Sequence, residues 1–197
     1  MPDRFGSYEE LSKVYAKGVD FSIMSRPVEG SNLLVMAPHG GKIEPLTSEL
    51  AARVAGVSHS LYLFEGCMKS KNKDLHITSH MFFEPALDSL LNEHRSALAF
   101  HGRCNDGDSE TIFLGGLDRD RISSIAPALR DVGFKVSSEG HKFPGSHPRN
   151  TCNRCSSGRG VQFELPKSLR NMLKADQELL DGFVTAIRDV MKTELSN

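Results

Sequence analysis

Four side chains in this sequence have the types and placement needed for metal-assisted hydrolysis: His39, Glu44, His101 and Glu164. His39 ends a short apolar run, NLLVMA plus Pro38, and is followed by the pair Gly40–Gly41 and then by Glu44. His101 follows a second apolar run, ALAF, and Glu164 lies near the end of a third, GVQFEL. Two histidines and one carboxylate make a common catalytic zinc shell that leaves a position for water. Zinc brings the pKa of water towards ~7, and a carboxylate outside the shell can take the proton. Glu164 is the expected base, because burial at the end of an apolar strand raises a carboxyl pKa. Taken singly, each residue has a plainer use. A strand-end histidine is more often a hydrogen-bonding residue, and Glu44 ahead of a helix complements its dipole. Their convergence on strand ends favours the metal.

Such convergence requires strands that end side by side. Continuous apolar runs predict buried strands over residues 32–37, 60–64, 97–100 and 160–165, with others over 19–24, 111–114 and 134–137. Helices are predicted over 47–54, 84–94, 118–132, 166–173 and 176–194, and a short first helix starts at the capping box Ser7…Glu10. Pro85 fits the first turn of its helix. The last two helices carry a core-facing apolar stripe to which no chemistry is assigned. Alternating strands and helices predict an α/β fold, a three-layer sandwich with a mixed, mainly parallel sheet and helices on both faces. Ligands in such sheets bind beyond the carboxyl ends of the strands. Residues 140–159 form a long loop rich in Gly, Pro, Ser and Asn, and loops of that length inside a domain are usually functional.

Composition sets wide bounds. A chain of 197 residues suits one domain, 1–197, with its own core. With 24 basic against 25 acidic residues, global charge favours neither a nucleic-acid coat nor a membrane surface. No stretch approaches the ~18 apolar residues of a membrane span. The first residues lack the apolar core of a signal peptide, so a cytoplasmic location is expected, with release by lysis. The four cysteines are then expected to be reduced. A monomer is expected.

Several motifs, in order, resemble the phage-type poly-γ-glutamate hydrolase family, which also goes under the name phage-related replication protein. They are HGGKIEPLTSELA, LHITSHMFFEP, AFHGRCND, NTCNRCSSGRG and VQFELP, and they span most of the chain from about Asn32 to Pro166. The resemblance implies a zinc carboxypeptidase-like fold and zinc-dependent hydrolysis of γ-glutamyl amide bonds. It also implies His39, Glu44 and His101 as zinc ligands and Glu164 as the catalytic glutamate. Asn153–Arg154 resembles the pair with which carboxypeptidases grip a substrate carboxylate. Two departures stand out. Four residues separate His39 from Glu44 where carboxypeptidases have two, and the Asn–Arg pair follows the third ligand instead of preceding it.

The polyanionic substrate has independent support. Residues 140–163 contain no Asp or Glu, while Lys142, Arg149, Arg154 and Arg159 are basic, so the loop would attract an anionic polymer. Arg103 and Arg154 are the expected carboxylate clamps. His76, in HITSH, is assigned a hydrogen-bonding or substrate role ahead of a second metal site. The alternative is a phage-derived nucleic-acid-processing or replication-associated protein. It finds little support, because the basic loop holds only Phe143 for base stacking. Cys152–Asn153–Arg154–Cys155 has no second CxxC and no strand-to-helix setting, which argues against a zinc ribbon or a redox pair.

Overall fold

The apolar runs become the central strands of one sheet. In a computed structural model, which describes residues 2–194, the strands are β1 (Phe21–Arg26), β2 (Leu33–Gly41), β3 (Ser60–Gly66), β4 (Ser96–Arg103), β5 (Ile112–Gly116), β6 (Val136–Ser137) and β7 (Val161–Pro166). Their order is β1-β3-β2-β4-β7-β5-β6. The four central strands β3, β2, β4 and β7 run parallel, as their continuous burial requires. β1 is antiparallel to β3, and β5 is antiparallel to β7, so the sheet is mixed at its edges.

Alternate residues of the central strands feed two cores. Leu33, Val35, Leu98, Phe100, Val161 and Phe163 face one side. There they meet α2 (Thr47–Ala55), α4 (Arg119–Asp131), α5 (Lys167–Ala175) and α6 (Gln177–Glu194). Leu34, Met36, Tyr62, Phe64, Ala97 and Ala99 face the other side, against α1 (Tyr8–Ser12) and α3 (Pro85–Glu93). Helices on both faces of a mainly parallel sheet are the architecture expected from the sequence. Caps explain several boundaries. Ser7 accepts from the Glu10 N–H, although Glu10 returns its carboxylate to the Gly6 N–H. Glu84 caps α3 and also accepts from the Tyr62 hydroxyl at 2.8 Å.

Two local expectations change. Strands β2 and β4 run further than their apolar letters, so His39 and His101 lie within the strand ends and not beyond them, as Glu164 does in β7. Ladder pairing continues there, with Gly41 opposite Gly66 and Arg103 opposite Pro166. The long loop also contains a 3₁₀ turn, Thr151–Arg154, capped by Asn150. Among the described residues, no helix is long and apolar enough to cross a membrane.

Candidate metal centre

A register shift between Ala37 and Gly40 in the β2–β3 ladder decides where His39 points. With regular alternation, His39 would share the face of Val35 and Ala37. The irregularity turns it towards the α3 face, where His101 follows Ala97 and Ala99 in phase. Bulges commonly re-aim a side chain next to a site in this way. The chain then closes a tight turn, with Ile43 N–H on Gly40 O and Glu44 N–H on His39 O at 2.9 Å. This closed turn brings Glu44 back to His39 across four intervening residues. The Gly102 N–H of β4 holds Glu44 Oε2 at 2.8 Å.

The three side chains therefore meet. His39 Nδ1 is 3.1 Å from His101 Nδ1 and 3.5 Å from Glu44 Oε1, and His101 Nδ1 is 3.8 Å from Glu44 Oε2. Ligand atoms of all three lie within 4.8 Å of one another. His39 Nε2 is 2.8 Å from the Ile77 carbonyl. A carbonyl only accepts, so Nε2 carries the hydrogen and, in the neutral ring, Nδ1 offers its lone pair to the cluster. This is the outer hydrogen bond usual for a metal-binding histidine. Two imidazole Nδ1 atoms and a carboxylate facing one point need a proton or a cation between them, and a soft-to-borderline cation such as zinc fits this donor set.

The charges agree with that reading. Burial acts to raise the Glu44 carboxyl, but His39 and then His101 and His76 outweigh it and hold the group at about 2. Burial pulls His39 down, yet the Glu44 carboxylate and the Ile77 carbonyl leave its net pKa raised. Burial and the neighbouring His39 push His101 down to about 3. Glu44 is thus ionised and His101 neutral, and His39 is the ring of the three whose protonated form is favoured.

Glu164 stands beside His101 as its partner in the β4–β7 ladder. Burial, and then the Glu44 carboxylate, push its carboxyl well above the ordinary range. Gln162, two residues earlier on the same face, donates to Glu164 Oε1 at 3.0 Å and accepts from Asn150.

His76 reaches the centre, with Nε2 3.8 Å from Glu44 Oε1 and its ring 4.1 Å from that of His39. His39 and burial lower its pKa. Asp3 fixes it: one carboxylate oxygen is 2.7 Å from His76 Nδ1, and the other accepts from the Thr78 N–H and hydroxyl. Asp3 therefore braces the tripeptide whose Ile77 carbonyl orients His39. It has no neighbouring motif that would reveal it, whereas Gln162 is legible as a polar residue two positions before Glu164 in an apolar strand.

The residues expected to grip a substrate carboxylate also have bonds within the fold. Arg103 is buried and donates to the carbonyls of Cys104, Asn105, Asp108 and Thr111, with its guanidinium 4.1 Å from the Phe113 ring. Asn153 is buried with its amide fully engaged, donating to Gly145 O and His147 O and accepting from Leu117 N–H and Gly160 N–H. Arg154 pairs with Asp88 at 2.5 Å and donates to Phe82 O. These bonds tie Arg103, Asn153 and Arg154 into their loops. Cys152 and Cys155 are buried free thiols, and burial raises that of Cys152.

A mixed sheet that gathers two histidines and a glutamate at the carboxyl ends of parallel strands, with a buried glutamate alongside, defines the class as an α/β protein with a candidate metal site. The sequence profile of the poly-gamma-glutamate hydrolase family matches residues 5–190, and the chain belongs to that family. It is 32% identical to the UPF0714 protein YmaC of Bacillus subtilis (strain 168), covering 99% of this chain and 86% of that protein. The structure of a bacteriophage poly-gamma-glutamate hydrolase superposes with a TM-score of 0.92 at 31% identity, covering 99% of both chains. Zinc-free YndL, from the same Bacillus strain, superposes with a TM-score of 0.89 at 29% identity, covering 98% of this chain and 99% of that one.

Proposed function

We propose that this protein is a zinc-dependent hydrolase that cleaves γ-glutamyl amide bonds of poly-γ-glutamate or a similar anionic polyamide. The observation that carries the proposal is the His39–Glu44–His101 donor set, with Glu164 next to it in the ladder. Membership of the hydrolase family supports the reaction, and a relative described by its lack of zinc supports the metal. When bound, zinc supplies a Lewis acid that polarises a carbonyl and lowers the pKa of water. His39, Glu44 and His101 would hold it. Glu164 moves the proton: Gln162 occupies Oε1, which leaves Oε2 to take a proton from water and return it to the leaving amine. Its raised pKa makes the carboxylate a stronger base towards water. His76, part-exposed and braced by Asp3, would hydrogen-bond substrate.

The test is metal content together with cleavage of poly-γ-glutamate. Wild type and Glu164→Gln are expected to hold one zinc per chain and His39→Ala none. Glu164→Gln should lose about 10²-fold or more in rate. Purified wild type without stoichiometric zinc would sink the metal assignment, and zinc without polymer cleavage would sink the substrate.

A further inference from the structure

The segment 79–83 runs along the metal centre and then out to the surface. Ser79 Oγ is 3.5 Å from His101 Nε2, and the Phe82 ring lies edge-on to His39 at 6.0 Å. The residues next to these two point at the long loop instead. His80 meets His147, with ring centroids 5.0 Å apart. Phe83 is 38% exposed and carries two guanidinium groups, Arg154 at 4.2 Å and Arg149 at 5.0 Å. Arg154 is tied to Asp88 and Phe82 O. Arg149 is exposed, and among the described residues its side chain has no hydrogen bond or ion pair. The other loop cation on this side of the sheet, Lys142, is paired with Asp106. One arginine is thus left with all its donors open, stacked on an exposed aromatic ring, one residue away from a ring that touches a metal ligand. No acidic residue in 140–163 competes for it.

We propose that Arg149 and Phe83, flanked by the His80–His147 pair, form a subsite for a carboxylate-bearing stretch of substrate next to the bond being cut. Arg149 grips one carboxylate with its planar fork while remaining stacked on Phe83. The exposed part of the Phe83 ring packs against the methylene stem that separates one carboxylate from the next. Chains that alternate carboxylates with short aliphatic spacers match both groups. The proposal rests on the function proposed above for the polymer's identity. The anionic class follows from Arg149 alone.

Arg149→Ala should raise KM for long poly-γ-glutamate about tenfold or more, the loss expected for one charge-assisted contact, with kcat within about twofold. Arg149→Lys should recover only part of the loss, because a point charge replaces a fork. Arg159→Ala is the matched control. It removes the same charge from the same loop, but Arg159 lines a cleft with Leu33 and Ser96 at the opposite, amino ends of β2 and β4. Its KM should stay within about twofold of wild type. Equal effects of Arg149→Ala and Arg159→Ala would overturn the subsite. Binding of fluorescently labelled poly-γ-glutamate to the same proteins separates this proposal from the proposed reaction. If wild type binds the polymer, does not cleave it, and loses binding on Arg149→Ala, the subsite stands and the reaction falls. Failure of wild type to bind the polymer would overturn the subsite.

Discussion

Glu44 carries the charge that organises its neighbours. Its carboxylate, held at about 2, is ionised at any physiological pH, while His101, pushed down to about 3, stays neutral. A proton at this centre is favoured on His39, whose pKa is raised because Glu44 and the Ile77 carbonyl outweigh its burial. A metal must expel that proton before it can use Nδ1. The sign follows directly. Below the folded pKa of His39, each unit of falling pH costs the metal about tenfold in affinity, and above it the dependence vanishes. Chelator competition with zinc between about pH 6 and 8 should therefore show affinity rising with pH and releasing one proton. A flat profile across that range would mean that no proton occupies the centre and that the assigned balance of charges is wrong. Glu44→Gln removes the charge that keeps His39 protonated. It should flatten the profile while weakening binding at every pH.

At the scale of elements, the sequence displayed the strands and hid the bulge. Continuous apolar runs announce β2, β4 and β7, because both faces of a central parallel strand are buried. The letters of LLVMAPHGG cannot show that the register slips between Ala37 and Gly40, since a slip depends on what β3 offers across the ladder. Yet the slip turns His39 to the face of His101, and the closed turn after it explains how Glu44 returns to His39 across four intervening residues. The surroundings of the Asn153–Arg154 pair are hidden in the sequence for a related reason. A dipeptide motif does not record that Leu117, Gly145, His147 and Gly160 consume the Asn153 amide from distant parts of the chain. Gly41 offers a direct test of the turn. Its φ is +61°, and a Cβ there would lie 2.7 Å from Gly66 O and 2.9 Å from Glu65 Cβ. Gly41→Ala should destabilise the protein by about 1–3 kcal/mol in urea unfolding and reduce zinc per chain, since His39 and Glu44 flank the crossing. Full zinc content in a destabilised Gly41→Ala protein would show that this crossing supports the sheet without positioning the ligands.

Across the whole molecule, the centre is where segments distant in sequence are tied together. His39 and Glu44 come from one strand and its turn, and His101 comes from the next strand. Ile77 comes from the loop between β3 and α3, and Asp3 from ahead of α1. Arg4, which pairs with Asp74, and Tyr15, whose hydroxyl donates to Asp74, fasten the same loop. These polar ties join the burial of Leu75, Ile77 and Phe82 in the core on this face, while α2, α4, α5 and α6 pack on the other face of the sheet. A ligand that binds only the assembled centre should therefore add its binding energy to the stability of the fold. With free zinc at 100 times its dissociation constant the gain is about 2.7 kcal/mol. For a chain of this length that corresponds to a rise in Tm of roughly 5–10 °C. Calorimetry of chelated and zinc-replenished wild type should show this rise, and His39→Ala should show none while keeping the Tm of the chelated wild type to within a few degrees. If His39→Ala gained as much from zinc as wild type does, the stabilising ion would sit elsewhere. The neighbouring rings of His80 and His147 would then be the first place to look, and the three-residue centre would lose its claim to the metal.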